Sequence, residues 1–206
     1  MTTALRQTPR QPDITRTRLL ECAYTEIHQR GFRAASLDSI LDKAGVTKGA
    51  LYHHFDNKNA LGYAVVDELL RPFMQNYWLH LAEAEDPIAS AIASIKKRRD
   101  KVKQHLLAYG CPFNNLAQEM SPIDEGFRTR LQAILDEWRH TLGDALERGK
   151  ASGKVRADVN TPAAAIFIIS ALEGVIGMGK ASQSATLYEQ GMRGLIEYLE
   201  RLRPAA

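Results

Sequence analysis

The sequence predicts an all-α protein with two domains, on the strength of three observations. Apolar residues recur at steps of three and four, and no stretch alternates apolar and polar residues for the length of a strand. Ser, Thr, Asp and Asn repeatedly precede these apolar runs, and Gly or Pro stands at their ends, as expected for helix boundaries. The 206 residues are 45% apolar and 25% charged, which favours a folded soluble protein over a disordered one.

The first three predicted helices are closely spaced. Asp13 is expected to cap the first helix and Ser36 the second, which ends at Gly45. Thr47 caps the third, which runs to about Phe55. Two short helices separated by three residues that include a glycine have the spacing of a helix-turn-helix.

Six further helices complete the prediction. Asp56 or Asn57 caps a long fourth helix that reaches about residue 80 and bends at Pro72. Most of the later helices begin at a polar residue followed by proline, a common helix start. Their expected ranges are 87–109, a short helix from 112, 122–151, 162–181 and 185–203. The expected domains are a flexible basic arm (1–12), a helix-turn-helix domain (13–57) and a larger body (58–206).

The third helix has one polar, basic face. At about 100° per residue, Lys48, Gly49, Tyr52 and His53 fall on one side and Leu51 falls on the other. Gly49 costs the helix about 1 kcal/mol relative to Ala, which is explained if a duplex groove must approach the backbone closely. This face is therefore expected to bind DNA.

Two lysines stand where a cation is unfavourable. Lys48 and Lys58 occupy the first turn of their helices, at the positive end of the helix dipole, and a phosphate bound there reverses the cost. The whole net charge of +3 lies in residues 1–60, which carry 9 Lys and Arg against 6 Asp and Glu. The expected DNA-binding residues are Arg33, Ser36, Thr47, Lys48, Gly49, Tyr52, His53 and Lys58.

The stretch GFRAASLDSILDKAGVTKGALYHHFDNKNAL, residues 31–61, resembles the DNA-binding region of the tetracycline-repressor (TetR) family of transcriptional regulators. The matching positions include Gly31-Phe32, Ala44-Gly45-Val46, the block 48–55 and Lys58. The resemblance implies a homodimeric repressor, not an enzyme, that needs no cofactor. It also implies a pseudo-palindromic double-stranded DNA operator, which is released when a small-molecule effector enters a pocket in the larger domain.

Composition and residue spacing limit the cellular compartment, membrane insertion and metal binding that we expect. With two cysteines and an N-terminus that lacks an apolar signal core, we expect a protein of the reducing cytoplasm. The longest apolar run, 163–172, is shorter than the roughly 20 residues that cross a bilayer, so no membrane is expected. The nearest pair of metal-ligating type on one helical face, Asp136 and His140, is too small a set for a metal site.

The body is expected to hold the ligand. Arg99 occupies an inward step of an otherwise apolar stripe, where a guanidinium needs an anion such as Glu173 or a ligand. The segment 110–119 around Cys111 resembles a Gly-Cys, Leu, Glu pattern in a subgroup of these regulators. Its thiol either reacts with electrophiles or is a small packed side chain. The expected ligand-binding residues are Arg99, Val102, Leu106, Cys111, Phe113, Trp138, Phe167 and Glu173.

The segment Gly174 to Lys180 supports an alternative function. Its spacing fits a phosphate-binding loop as far as the lysine, although Ala181 stands where a Mg²⁺-binding Ser or Thr is required. The alternative is a helical nucleotide-binding protein or enzyme. The small residues here are otherwise explained by close approach of helices, and we expect 161–181 and the last helix to form a two-fold interface.

Overall fold

The computed structural model describes residues 11–205, except for the side chains of residues 11–13 and 98–103. Within these residues the regular structure is entirely helical, which confirms the all-α prediction. The helices are α1 (Gln11–Arg30), α2 (Leu37–Ala44), α3 (Lys48–His54), α4 (Lys58–Val65), α5 (Arg71–Trp78), α6 (Pro87–Tyr109), α7 (Pro112–Met120), α8 (Glu125–Ala151), α9 (Thr161–Ser182) and α10 (Ala185–Glu200). A π-helical segment, Val66–Leu70, lies between α4 and α5, and a 3₁₀ helix, Leu79–Glu83, follows α5. Counted with 58–83 as one interrupted helix, these are the nine predicted helices.

Most predicted helix caps are present. The side chains of Ser36, Thr47, Asn57 and Asp86 each accept a hydrogen bond from the backbone N–H three residues ahead. The predicted start of α8 at Ser121-Pro122 is wrong, because residues 121–123 form a turn and the carboxylate of Asp124 accepts the N–H of Phe127 at 2.9 Å. Helix α1 already includes Gln11, the first residue that the structure describes, so the predicted cap Asp13 lies inside the helix.

The predicted bend near Pro72 corresponds to the π-helical segment. Proline lacks the N–H that would bond the carbonyl four residues earlier, at Glu68, and its ring crowds that carbonyl. The widened turn Val66–Leu70 lies just before the proline and relieves this conflict. The irregularity is therefore dictated by the sequence.

The chain divides into two compact units, with the break between Leu70 and Arg71. In the first unit, α1 packs on α2, α3 and α4, and their side chains form one core of fully buried residues: Leu19, Ala23, Ile40, Leu51 and Leu61. The boundary predicted from the sequence lies earlier, after residue 57. The break falls later because Leu61 and Val65 are buried within the first unit's core.

The second unit is built around α9. This helix packs on α6, α8 and α10, and α8 also packs on α5 and α7. By length and composition alone α9 is apolar enough to cross a membrane. One side of α9 is covered by the three helices on which it packs, and 44% of its apolar window is buried.

Candidate nucleic-acid interface and ligand cavity

Helices α2 and α3 are joined by a tight turn that begins at Gly45. Gly45 has φ 66° and ψ 39°, a left-handed conformation that glycine adopts without steric cost. Its N–H and that of Val46 bond the last carbonyls of α2, and Thr47 then caps α3. The turn fixes the direction in which α3 leaves α2.

Helix α3 has the two faces that the sequence predicts. Leu51 is fully buried and anchors the helix to the core of the first unit. Lys48, Gly49, Tyr52 and His53 are all exposed on the surface. A short helix held by one buried side chain therefore presents a lysine, a tyrosine and a histidine to solvent, around a glycine with no Cβ.

Lys58 lies at the N-terminus of α4 and reaches the loop that precedes α2. Its Nζ donates a hydrogen bond to the carbonyl oxygen of Arg33 at 3.1 Å and lies 5.0 Å from the ring centroid of Phe32. The ammonium is thus held beside the exposed side chains of Arg33 and Ser36. The hydroxyls of Ser36 and Thr47 act as helix caps, so both residues orient the two short helices.

The second unit contains a cavity with an empty volume of about 540 Å³, part of it open to solvent. Its lining residues come from α5, the 3₁₀ helix, α6, α8, α9 and α10: Tyr77, His80, Leu81, Ala91, Ser94, Ile95, Trp138, Leu142, Ile168, Leu172, Tyr188 and Met192.

Two features distinguish the cavity wall. Trp78 stacks on Trp138 with ring centroids 5.1 Å apart and planes 12° from parallel. The second feature is polar: Nε2 of His80 lies 2.6 Å from the hydroxyl oxygen of Ser94. Burial lowers the pKa of His80, the charge of Lys97 lowers it further, and a hydrogen bond to the backbone of Ser90 acts in the opposite direction.

Of the expected ligand-binding residues, Trp138 lines this cavity. Leu106, Cys111, Phe113 and Glu173 are buried but are not among its lining residues. Phe167 is 51% exposed and packs against Tyr198 at the surface, with ring centroids 4.6 Å apart. The side chains of Arg99 and Val102 lie outside the described residues.

Sequence reasoning missed His80 and Ser94. They lie 14 positions apart on different helical segments, so neither periodicity nor motif spacing connects them. The aromatic residues Trp78 and Tyr77, close to the end of α5, were the available signal for this region.

The phosphate-loop alternative is wrong. Gly174 to Lys180 lies inside the continuous helix α9, where backbone N–H groups bond the preceding turn and cannot cradle a phosphate. Lys180 donates to the side-chain oxygen of Asn115 at 3.3 Å. Among the side chains that the structure describes, no cluster of three or more His, Cys, Asp or Glu residues could hold a metal ion.

The joined helices α2 and α3, with a buried anchor on one side and an exposed basic face on the other, define the class of helix-turn-helix DNA-binding proteins. Residues 19–65 match the family described as bacterial regulatory proteins, tetR family. Residues 89–195 match the tetracyclin repressor-like C-terminal domain. The chain belongs to the TetR family of transcriptional regulators, which are DNA-binding proteins and not enzymes.

Similar proteins cover nearly the whole chain. The HTH-type transcriptional repressor DhaR of Mycobacterium sp. (strain GP1) is 25% identical over 184 residues, 89% of this chain and 91% of the repressor. The HTH-type transcriptional repressor KstR2 of Rhodococcus jostii is 30% identical over 158 residues, 74% of each chain. The crystal structure of a TetR transcriptional regulator from Chloroflexus aurantiacus is 27% identical, covers 96% of this chain and 100% of its own, and has a TM-score of 0.84.

Proposed function

We propose that this protein is a cytoplasmic repressor that binds a pseudo-palindromic operator as a homodimer and leaves it when a small molecule enters the cavity of the second unit. The exposed face of α3 is the observation that carries the proposal. Relatives that are named as repressors support the direction of regulation.

The residues on and beside α3 divide into two roles. Lys48, Tyr52, His53 and Lys58 mainly contact phosphates, which position the protein, while Gly49 and Lys48 lie nearest the base edges. Arg33 contacts the backbone beside Lys58. Ser36 and Thr47 cap helices whose N-termini face the same phosphates.

Selection of bound fragments from the host's genomic DNA, followed by filter binding at several salt concentrations, tests this role. Wild-type protein should retain a small set of palindromic sites and bind them with a steep salt dependence. Lys48→Ala and Lys58→Ala should each weaken binding to all sequences and flatten the salt slope by about one unit. Lys154→Ala, an exposed lysine of the second unit, is the control. An unchanged slope in both α3-region variants would remove these lysines from the interface.

An exposed stripe of small and apolar residues along α9 supports the homodimer. We call it the α9 stripe: Ala163, Ile166, Phe167, Ser170, Gly174 and Met178, all exposed and, apart from the adjacent pair Ile166 and Phe167, spaced by three or four residues. Phe167 and Met178 are 51% and 60% exposed. Neighbouring large apolar side chains with this much exposure indicate a surface that another protein covers. Leu187 and Gly194 on α10 are also exposed. Four helices, α9 and α10 from each of two copies, would bury these residues.

A two-fold axis through this interface sets the operator geometry. Two α3 helices related by the axis read successive major grooves when they lie about 34 to 36 Å apart. The operator should therefore have two half-sites whose centres are about one helical turn apart. Footprinting of a selected site should reveal this spacing.

Release of the operator requires that ligand binding and DNA binding are thermodynamically coupled. The effector must bind the DNA-incompetent dimer more tightly, by the roughly 1 to 3 kcal/mol typical of such coupling. Isothermal titration of the effector into free and operator-bound protein measures this difference. Equal affinities would exclude regulated release.

Two other chemistries for the effector follow from the sequence and are tested by mutation. The Cys111 thiol is buried at the N-terminus of α7, where covalent capture of an electrophile requires access to it. If Cys111→Ser still releases the operator when electrophiles are added, the thiol is structural. An anionic effector instead needs a cation, for which Arg99 is the candidate. Unchanged effector affinity in Arg99→Ala would remove that role.

A further inference from the structure

The C-terminal end of α3 is anchored by the ring of Phe55. Helix α3 has seven residues, too few to be stable without tertiary packing. Leu51 anchors its middle, and Phe55, one turn later on the same face, caps its end and is also buried. The Phe55 N–H donates a hydrogen bond to the carbonyl oxygen of Leu51 at 2.9 Å. The direction of the last turn of α3, which carries Tyr52 and His53, therefore depends on where the Phe55 ring lies.

The guanidinium of Arg16, on α1, lies over this ring. Its central carbon is 5.2 Å from the ring centroid of Phe55, within the range of a cation–π contact. Its Nη1 and Nη2 donate hydrogen bonds to the two carboxylate oxygens of Glu68 in the π-helical segment, each at 2.5 Å. Because one carboxylate engages both arms of the guanidinium, the orientation of that group is fixed. Arg16 thus joins the end of α3 to the π-helical segment.

The Arg16 and Glu68 pair is charged and lies near the surface. The hydrogen bond from Arg16 lowers the pKa of Glu68 and outweighs burial, which acts to raise it. The same bond raises the pKa of Arg16. The two side chains are 36% and 42% exposed, and pairs with this much exposure contribute little to the stability of a whole domain. The expected effect of the pair is therefore local, on the ring that the guanidinium covers.

We infer that Arg16 is a positioning residue for operator recognition: with Glu68 it holds the Phe55 ring, and through that ring the last turn of α3, in the orientation that presents the exposed face of α3 to DNA. The inference rests on the proposed function. A phosphate would have to compete with Glu68 for the same N–H donors, so Arg16 is assigned no phosphate contact.

Hydrogen exchange in the free, full-length protein tests the local effect. Arg16→Gln should speed exchange of the Phe55 N–H about 3- to 10-fold, because the end of α3 frays when the ring loses its cover. The Val46 N–H, which bonds the carbonyl oxygen of Leu41 at the end of α2, is the internal control and should exchange at the wild-type rate. Equal acceleration at both amides, or no acceleration at Phe55, would overturn the inference.

Filter binding of the selected operator and of unrelated duplex DNA tests the functional effect. Arg16→Gln should weaken operator binding about 3- to 10-fold and binding to unrelated DNA by less than about 2-fold, because base contacts require the correct orientation of α3 more strictly than phosphate contacts do. The salt slope should stay that of wild type. An equal loss for both DNAs would overturn the inference, and a slope flatter by about one unit would identify Arg16 as a phosphate contact instead.

Glu68→Gln separates positioning from simple electrostatics by the sign of its effect. Removal of a negative charge from a DNA-binding unit should by itself strengthen binding to DNA. Loss of the partner of Arg16 should instead weaken operator binding, by about 2- to 5-fold. Glu21→Gln, which removes an exposed charge from α1, is the matched control and should bind the operator at least as tightly as wild type. Wild-type or tighter binding in Glu68→Gln would overturn the inference.

The two measurements separate this inference from the proposed function. If wild-type protein selects no operator, the proposed function fails, while exchange of the Phe55 N–H still decides whether Arg16 positions the end of α3. If wild-type protein binds an operator and Arg16→Gln binds it equally well, the proposed function stands and the positioning role is wrong.

Discussion

Glu26 is a buried carboxylate that joins two helices of the first unit. It is completely buried, yet its Oε2 accepts hydrogen bonds from Lys43 Nζ at 2.6 Å and from the Ser39 hydroxyl at 3.1 Å. Its Oε1 lies 3.1 Å from Nε of Arg30. The bond from Lys43 lowers the pKa of Glu26 and outweighs burial, which acts to raise it. The carboxylate links α1 to α2 and so supports the frame of the helix-turn-helix.

Glu26→Gln should destabilise the protein at pH 7 by about 1 to 3 kcal/mol, because the amide makes weaker bonds to Lys43 and Arg30. The lowered pKa in the folded state also fixes the sign of the pH dependence. The stabilisation is complete above the unfolded pKa of about 4.3 and is lost as pH falls through the lower, folded pKa. Glu26→Gln should therefore lose less stability than wild type when urea unfolding is compared at pH 7 and in the acidic range.

Glu21→Gln is the control for this prediction, since Glu21 is an exposed carboxylate on the same helix. It should leave both the stability and its pH dependence close to wild type. A Glu26→Gln protein with the wild-type acid dependence would show that the carboxylate contributes nothing through its charge.

Alanine substitution of two glycines in the helix-turn-helix should change the stability of the protein in opposite directions. Gly45 is left-handed, and an added Cβ would lie 3.4 Å from Arg18, so Gly45→Ala should cost about 1 to 2 kcal/mol through backbone strain. Gly49 is helical, and a Cβ there would meet only Thr47 Oγ1 at 3.9 Å, so Gly49→Ala should stabilise α3 by about 1 kcal/mol. Thermal unfolding of the two variants should shift in opposite directions.

At Gly49 we expect the alanine variant to be more stable than wild type and to bind the operator more weakly. If the duplex approaches the α3 backbone, the added methyl of Gly49→Ala should weaken operator binding on the order of tenfold in a protein that is more stable. Full operator affinity in this variant would show that α3 does not approach DNA through this glycine.

The short helices could be predicted from the sequence because the residues that begin and end them act locally. Ser36, Gly45 and Thr47 act within four residues of their own positions, so cap and turn patterns locate them without knowledge of the fold. Asp124 was missed because Ser121-Pro122 carries the same start signal, and only the structure shows that those residues turn instead of entering α8.

The cavity was harder to predict because it depends on which helices meet. Phe167 was expected to face inward, but α9 is apolar around most of its circumference, and its periodicity does not distinguish core from surface. Trp138 was identified because α8 has a clear apolar face. His80 and Ser94 come together only through the packing of the 3₁₀ helix on α6.

Assembly of two copies can be tested at Gly174. A Cβ added there meets nothing within 4 Å, so Gly174→Arg should leave the single chain folded while it places a charge in the centre of the α9 stripe. We expect sedimentation velocity at micromolar concentration to show a dimer for wild type and a monomer for the variant. Operator affinity should fall by about 100-fold or more, since one chain binds only one half-site.

Gln132→Arg provides the matched control, because it adds the same side chain to an exposed position of α8 outside the stripe. It should remain dimeric and bind the operator normally. A dimeric Gly174→Arg protein would place the interface elsewhere on the second unit.

Because of the tryptophan stack, fluorescence emission should report the unfolding of the second unit alone. The chain has two tryptophans, and both lie in the second unit, so tryptophan emission does not sense the first. Far-ultraviolet circular dichroism senses the helices of both. The smaller first unit buries a smaller share of its surface and should melt first. Ellipticity should then begin to fall at a lower temperature than emission changes, and superimposable curves would instead mean that both units unfold in one cooperative step.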